Sequence, residues 1–332
     1  MAAKPTTKRG LPDSAPYNSG LPPFHPLVRN PHLLTIAGNF AKRQLDVGRF
    51  PVDEQIIETE PGVRILVHSQ RPAAGTPVRG DLVLVHGLEG SSNGGYMRSM
   101  AQLALENGYA VHRTNMRSCG GTDESCRTMY HAGLTSDTLH IIRRIGRPVF
   151  LVGYSLGGNV SLKLAGELGA MGGELLRGVV AVSTPINLAA CVRSLEKPEN
   201  RIYQWRFLRA LKARILRREG AAVAAKLRDV RTVYQFDDEY VAPFFGFGTA
   251  DNYYATQSAL GFVASVGVPA LVVQAMDDPM IPFGLFEDPR LTGNPNIEVH
   301  PVEHGGHLGF IAARAPRFWV DQVILRWVEE RS

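Results

Sequence analysis

Apolar residues along this 332-residue chain follow two alternating rhythms. Short unbroken apolar runs, each bounded by glycine, proline or polar residues, read as buried strands. Longer segments with apolar residues three and four apart read as helices that lay one face on a core. EQIIETEPGVRILVHSQ is expected to make two strands about a Pro-Gly turn, and DLVLVHG, AVHRTNMR, VFLVG, GVVAVSTP, VPALVVQAM and NIEVHPVE one strand each. Among them lie the helical segments YMRSMAQLALENG, closed by Gly108, TSDTLHIIRRI, capped by Thr135 or Ser136, NVSLKLAGELG, and the closing PRFWVDQVILRWVEE. Strands that are apolar at successive positions need cover on both faces. The pattern therefore predicts an α/β fold, a mostly parallel eight-stranded sheet with helices on both sides.

Two regions fall outside this alternation. Residues 1–30 are rich in proline, glycine and serine and contain no apolar h-region, so they read as a mobile or surface-draped arm and not as a secretory signal. Residues 186–266 separate GVVAVSTP from VPALVVQAM and are not needed by the sheet. They hold RIYQWRFLRALKARILRREGAAVAAKLRDVR, where much of the basic charge behind a formal net charge of +5 is gathered. Trp205, Leu208, Leu211 and Ile215 recur there at helical spacing. This segment reads as a solvated basic face over a core stripe; a basic amphipathic surface against anionic lipid is the alternative. Nothing resembles a nucleic-acid module. The longest apolar stretch, Ala259 to Met276, is broken by Gly267 and Pro269 and argues against a membrane span. Three cysteines, Cys119, Cys126 and Cys191, have no metal-ligand spacing and leave one thiol over in any pairing, which suits a reducing, cytoplasmic setting with at most peripheral membrane contact.

The candidate chemistry sits where VFLVG breaks into Gly153-Tyr154-Ser155-Leu156-Gly157-Gly158 and a helix follows. A serine lifted onto a tight strand-to-helix turn needs near-absent side chains two positions before and after it. Such an elbow exposes the hydroxyl and aims the next backbone N–H groups at the same point. The spacing fits neither a dinucleotide loop nor a phosphate loop.

A serine hydroxyl needs a base, and the base an orienting acid. Downstream, VPALVVQAM runs into Asp277-Asp278, and NIEVHPVE runs into His304-Gly305-Gly306-His307. Parallel strand ends gather along one edge, the edge from which Ser155 emerges. Each position offers two candidates. His307 follows two glycines that let its loop approach the serine, whereas His304 is the alternative base; Asp277 is expected to cap or brace the turn beside Asp278. A metal site from these four residues has the right residue types but explains less than an ordered triad. DLVLVHG ends in His86-Gly87-Leu88-Glu89-Gly90, so the backbone N–H groups of Leu88 and Leu156 are the expected oxyanion donors, with His86 bracing its loop.

The segments RNPHLLTI, HGLEGSS, NMRSCGGT, YHAGLTSD, GYSLGGN, FDDEYVAPFFGF, DNYY, AMDDPMIP and GGHLGF, spanning about Arg29 to Phe310, together resemble the α/β-hydrolase superfamily and, within it, the AB hydrolase 4 family of YheT-like hydrolases, esterases and phospholipases. The resemblance implies a serine esterase acting on carboxylic or lipid esters without a cofactor or metal, with Ser155 as nucleophile, His307 as base and Asp278, four residues before Pro282, as acid. An insertion of about eighty residues at this point is the usual site of a cap, so 186–266 are expected to form a helical cap over a core of 31–185 and 267–332, the alternative being a helical elaboration that only stabilises the sheet; Phe244, Phe245, Phe247, Tyr253 and Tyr254 are expected to line an acyl pocket there. Ser118 stands where family members commonly carry glycine, and Cys119 beside it lacks an elbow and reads as structural. An acyltransferase and a non-catalytic ligand binder on the same scaffold are the competing readings; no His-x-x-x-x-Asp motif supports the first, and a retained strained elbow argues against the second. The identity of the ester, its binding residues and the oligomeric state are not legible in the chain.

Overall fold

The Pro61-Gly62 turn folds the first two strands onto each other: β1 (Asp53–Glu60) pairs antiparallel with β2 (Val63–Gln70), with Gly62 at φ 76°. This computed structural model describes residues 20 and 23–332, so most of the expected 1–30 arm lies outside the described residues. Within the described part, Phe24 packs on Phe310 and Trp319, and Leu27 N–H donates to the Ile311 carbonyl at 2.9 Å. Next come β3 (Gly80–Val85), β4 (Tyr109–Thr114), β5 (Val149–Tyr154), β6 (Leu176–Val182), β7 (Ala270–Ala275) and β8 (Ile297–Val302). They form one eight-stranded sheet in the order β1-β2-β4-β3-β5-β6-β7-β8. Only the pairings of β2 with β1 and β4 are antiparallel.

The continuous apolar strands explain the two layers of helix. Leu82 and Leu84 of β3 join Phe150, Val152, Leu271 and Val273 on one face, and Val83 and Val85 join Leu151, Val179 and Val272 on the other. Successive side chains on a strand point to opposite faces, so every position is buried only if both are covered. The first face receives α2 (Gly95–Glu106) and the closing helix Trp319–Glu329, through Met97, Met100, Val323 and Trp327. The second receives α4 (Leu156–Leu168) and the insertion. Each fully buried large aliphatic side chain contributes about 1.5–3 kcal/mol to this arrangement. Two further helices are α3 (Ser136–Ile145), which packs on β1, and α1 (Pro31–Phe40), which packs on the loop after β8. Thr135 occupies the N-cap position of α3 without a capping hydrogen bond; its hydroxyl donates to Glu167 instead.

Between β6 and β7 the chain runs only through helices and turns, including α5 (Leu188–Leu195), α6 (Arg201–Glu219) and the helix Ala250–Gln257. The buried stripe of α6 differs from expectation. Leu208, Leu211 and Ile215 are buried, but Trp205 is 60% exposed, because the stripe continues through Gln204, four residues before Leu208. The expected basic face is also interrupted, since Arg214 turns inward and is buried. Among the described residues no helix is long and apolar enough to cross a membrane.

Candidate active site

Four strand ends deliver the site: Leu88 follows β3, Ser155 follows β5, Asp278 follows β7 and His307 follows β8. Ser155 takes φ 51°, ψ −121° at the N-cap of α4. The neighbouring glycines are steric requirements. A Cβ on Gly153 would fall on the Gly157 carbonyl and within 2.5 Å of Ser161 Oγ, and one on Gly157 within 2.6 Å of the His86 carbonyl. Of five non-glycine residues at positive φ among the described residues, Ser155, Glu89 and Leu308 lie in three of the four loops of the site, and Ser183 Oγ accepts from Leu308 N–H at 3.2 Å. Strain of this kind persists where the surroundings over-determine it, and here it is gathered at one place. The fifth, Ser118, takes φ 59°, a backbone that glycine adopts freely, so its loop keeps a glycine-like course.

The structure brings Ser155, His307 and Asp278 together. His307 Nε2 lies 2.9 Å from Ser155 Oγ, and Nδ1 lies 2.8 Å from Asp278 Oδ2. The network assigns the ring proton to Nδ1, leaving Nε2 to accept from the serine. The Asp278 side chain is fully buried, and its Oδ1 accepts from Met280 N–H at 2.9 Å and Ile281 N–H at 3.2 Å. Asp277 and His304 form a separate pair at 3.2 Å. Asp277 Oδ1 also accepts the N–H groups of Gly305 and Gly306 at 2.8 and 2.9 Å, which ties down the turn carrying His307.

The expected oxyanion turn packs directly on the serine: a Cβ on Gly87 would stand 3.0 Å from Ser155 Cβ. Leu88 and Leu156 both line the cavity above it. His86 is fully buried between backbone groups, with Nδ1 at 2.7 Å from the Gly87 carbonyl and Nε2 accepting from Met116 N–H at 3.1 Å. Burial lowers its pKa to about 4, which keeps the ring neutral. Cys119 is a buried free thiol whose pKa burial pushes up to about 12, and it does not line the cavity.

Neither Thr35 nor Arg214 is singled out in the sequence, although Thr35 falls within RNPHLLTI and Glu89, the partner of Arg214, within HGLEGSS. Thr35 of α1 accepts His307 N–H at 2.9 Å and donates to the Pro31 carbonyl at 2.7 Å, so an N-terminal helix steadies the histidine loop. Arg214 of α6 grips Glu89, one residue past Leu88, through Nε at 2.9 Å and a second nitrogen at 3.1 Å, and Tyr130 OH donates to the same carboxylate at 2.9 Å. Both charged side chains are nearly buried, at 6% and 11% exposure, where losing one partner costs about 3–5 kcal/mol. The insertion is thereby fastened to the turn that follows β3.

The cavity over Ser155 is walled mainly by apolar side chains from the insertion, among them Leu188, Val192, Phe207, Leu211 and Val241. Of the five aromatics expected there, only Tyr253 and Tyr254 line the cavity. Phe245 and Phe247 form an outer ring around His131, at 4.7 and 5.3 Å, and Phe244 is 43% exposed. The helical turns continue from Val241 through Phe244, and none of the three phenylalanines lines the cavity: Phe245 and Phe247 are half-buried behind it and Phe244 faces solvent. His131 itself lines the cavity, its pKa brought down to about 3 chiefly by burial. Asp237, at the start of a π-helical turn, also faces in; Tyr254 OH donates to its Oδ2 at 2.6 Å, and burial raises its pKa to about 7.

Comparison with known proteins agrees with this architecture. Residues 82–321 match the alpha/beta hydrolase family. The chain is 33% identical over 314 residues to Putative esterase YheT of Escherichia coli (strain K12), covering 90% of each protein. It is 27% identical over 263 residues to Phospholipase ABHD3 of Mus musculus, covering 76% of this chain and 64% of that protein's length. In fold it resembles the Pyrococcus furiosus esterase Pf2001, with a TM-score of 0.57 at 17% identity, over 86% of this chain and 98% of that one. The chain belongs to the alpha/beta hydrolase family. Within that family it is YheT-like, and its relatives include proteins named as esterases and phospholipases.

Proposed function

We propose that the protein is a serine hydrolase of carboxylic esters, with Ser155 as nucleophile, His307 as general base and acid, and Asp278 as the orienting acid. The observation that carries this reading is the continuous chain of contacts from the strained Ser155 hydroxyl through both ring nitrogens of His307 to a buried carboxylate. In the proposed reaction Ser155 Oγ attacks the ester carbonyl carbon while His307 Nε2 takes its proton. The oxyanion so formed is met by the N–H groups of Leu88 and Leu156. Its collapse breaks the bond to the alcohol oxygen, which leaves with the proton from His307, and an acyl group remains on Ser155. Water then attacks the acyl carbon, again giving its proton to His307, and collapse restores the serine and releases the acid. Asp278 holds the Nδ1 proton in place and stabilises the imidazolium at each transfer.

We take residues 186–266 as the cap, and its apolar wall supports an acyl or lipid ester as substrate. The three buried free thiols are in keeping with a cytoplasmic setting. The test is direct. A fluorophosphonate probe should label Ser155 in the native protein, and Ser155→Ala should lose both labelling and ester turnover. Labelling that persists in the alanine variant would overturn the assignment.

A further inference from the structure

Two helices beside the site share an apolar face that no other part of the described chain covers. On α1, Leu33, Ile36 and Phe40 follow one another at three- and four-residue spacing and are 54%, 42% and 75% exposed. On α6, Ile202 and Trp205 are 62% and 60% exposed on one side of the helix. The helices are joined along this face: His32 Nδ1 lies 3.0 Å from Tyr203 OH with the rings stacked, and Arg206 donates to Asn39 Oδ1 at 3.1 Å. Five large apolar side chains exposed on adjoining helices exceed the scattered single residues of an ordinary soluble surface.

Charge selects among partners. Arg206 and Arg209 stand one helical turn from Ile202 and Trp205, with the Arg209 guanidinium over the Trp205 ring at 5.3 Å. Arg29, Lys42 and Arg201 are exposed at the ends of the same two helices. No acidic residue occurs from Pro23 to Leu45 or from Arg201 to Arg218; Asp46, Glu196, Glu199 and Glu219 lie beyond those limits. An apolar stripe with a tryptophan, framed by arginines and free of acids, is the pattern of a helix face that sits in the interface of a bilayer.

We infer that the α1/α6 face docks the protein onto an anionic lipid surface. Leu33, Ile36, Phe40, Ile202 and Trp205 enter the headgroup boundary, while Arg201, Arg206 and Arg209 meet lipid phosphates. The placement has a consequence for the proposed hydrolase: Thr35 of α1 holds His307, and Phe207 and Leu211 of α6 line the cavity, so docking sets the cavity beside its lipid. The docking itself does not depend on that chemistry.

The test is co-sedimentation of the full chain with vesicles of phosphatidylcholine mixed with phosphatidylglycerol, against vesicles of phosphatidylcholine alone. The protein should partition onto the mixed vesicles, and more weakly as salt is raised. Phe40→Ser combined with Trp205→Ser should lower that partition on the order of tenfold or more. Arg206→Glu combined with Arg209→Glu should do the same on mixed vesicles only. All these positions are exposed, so the thermal unfolding temperature should change little even where the Arg206–Asn39 and Arg209–Trp205 contacts are lost, and a large drop should report any variant that misfolds. Equal partition onto the two vesicle types overturns the proposal, as does wild-type partition by the folded double variants. A dimer in solution that Phe40→Ser breaks would assign the face to a second copy of the chain and overturn it too.

Discussion

Two aspartate–histidine pairs stand side by side at the ends of β7 and β8, and they differ by one residue in one loop and three in the other. Asp278 meets His307 at 2.8 Å, and Asp277 meets His304 at 3.2 Å. The first pair is nearly sealed, with side-chain exposures of 0% and 10%, and the second is open, at 18% and 26%. Their far ends differ more. His307 Nε2 reaches Ser155 Oγ, whereas His304 Nε2 lies 3.7 Å from exposed Glu303. Asp278 accepts backbone N–H groups of its own turn, whereas Asp277 accepts those of the turn leading to His307. Identical residue types therefore hold different posts: one pair reaches the Ser155 hydroxyl, and the other ties down the loop that carries His307.

The largest expected effects break the first pair. His307→Ala and Asp278→Asn should each lower kcat for ester hydrolysis on the order of 10³-fold or more, through lost proton transfer and lost tautomer control. Rates on a soluble nitrophenyl ester measure both, and a larger loss from Asp277→Asn or His304→Ala would exchange the roles of the two pairs.

A third carboxyl, Asp237, sharpens the comparison because it is buried with a tyrosine and no histidine. Its folded pKa, raised to about 7 from 3.8, means that the fold favours the protonated form. Stability from this group is fully present below the unfolded pKa and is lost as pH rises from about 4 through about 7, at roughly 1.4 kcal/mol per pH unit at the steepest. Asp237→Asn should flatten that part of the profile. Unfolding temperatures of the two proteins across this range should diverge as pH rises, and parallel curves would show that the carboxyl is charged without cost.

The second pair should act through structure. Asp277→Ala leaves two backbone N–H groups without their acceptor and should cost about 1–3 kcal/mol of stability, seen as a lower unfolding temperature. Its kcat should fall by less than about tenfold, because the Asp278–His307 contact needs only a modest shift of the loop. His304→Ala, at the partly exposed end, should change stability by about 0.5 kcal/mol or less.

What could be read in the chain follows from locality. The strands, their alternation with helices and the serine elbow are written in runs of six to a dozen residues, where periodicity and glycine positions act on neighbours. The order Ser155, Asp278, His307 was legible because parallel strands carry their ends to one edge. Trp205 is set aside by helix geometry itself: position 204, not 205, falls in the middle of the stripe that 208, 211 and 215 define, and a large apolar side chain at 205 masks a polar one at 204 in a reading by residue type. Phe244, Phe245 and Phe247 failed as cavity walls for a related reason: aromatic composition says that side chains will be buried somewhere, not on which side of the chain.

By itself, then, the sequence determined the fold class, the elbow and the small set of residues able to serve it, since each depends on local backbone sterics and on hydrophobic period. The tertiary structure put a distance on the Asp278–His307 contact that the resemblance already implied, and it alone decided that Thr35 steadies the histidine loop across 272 residues of chain and that Arg214 of the insertion grips Glu89 across 125. It also decided that α1 and α6 meet to form one basic, apolar face. Contacts of that kind depend on where whole elements pack, and a side chain's charge and hydrogen-bonding capacity admit many partners until packing leaves one within reach.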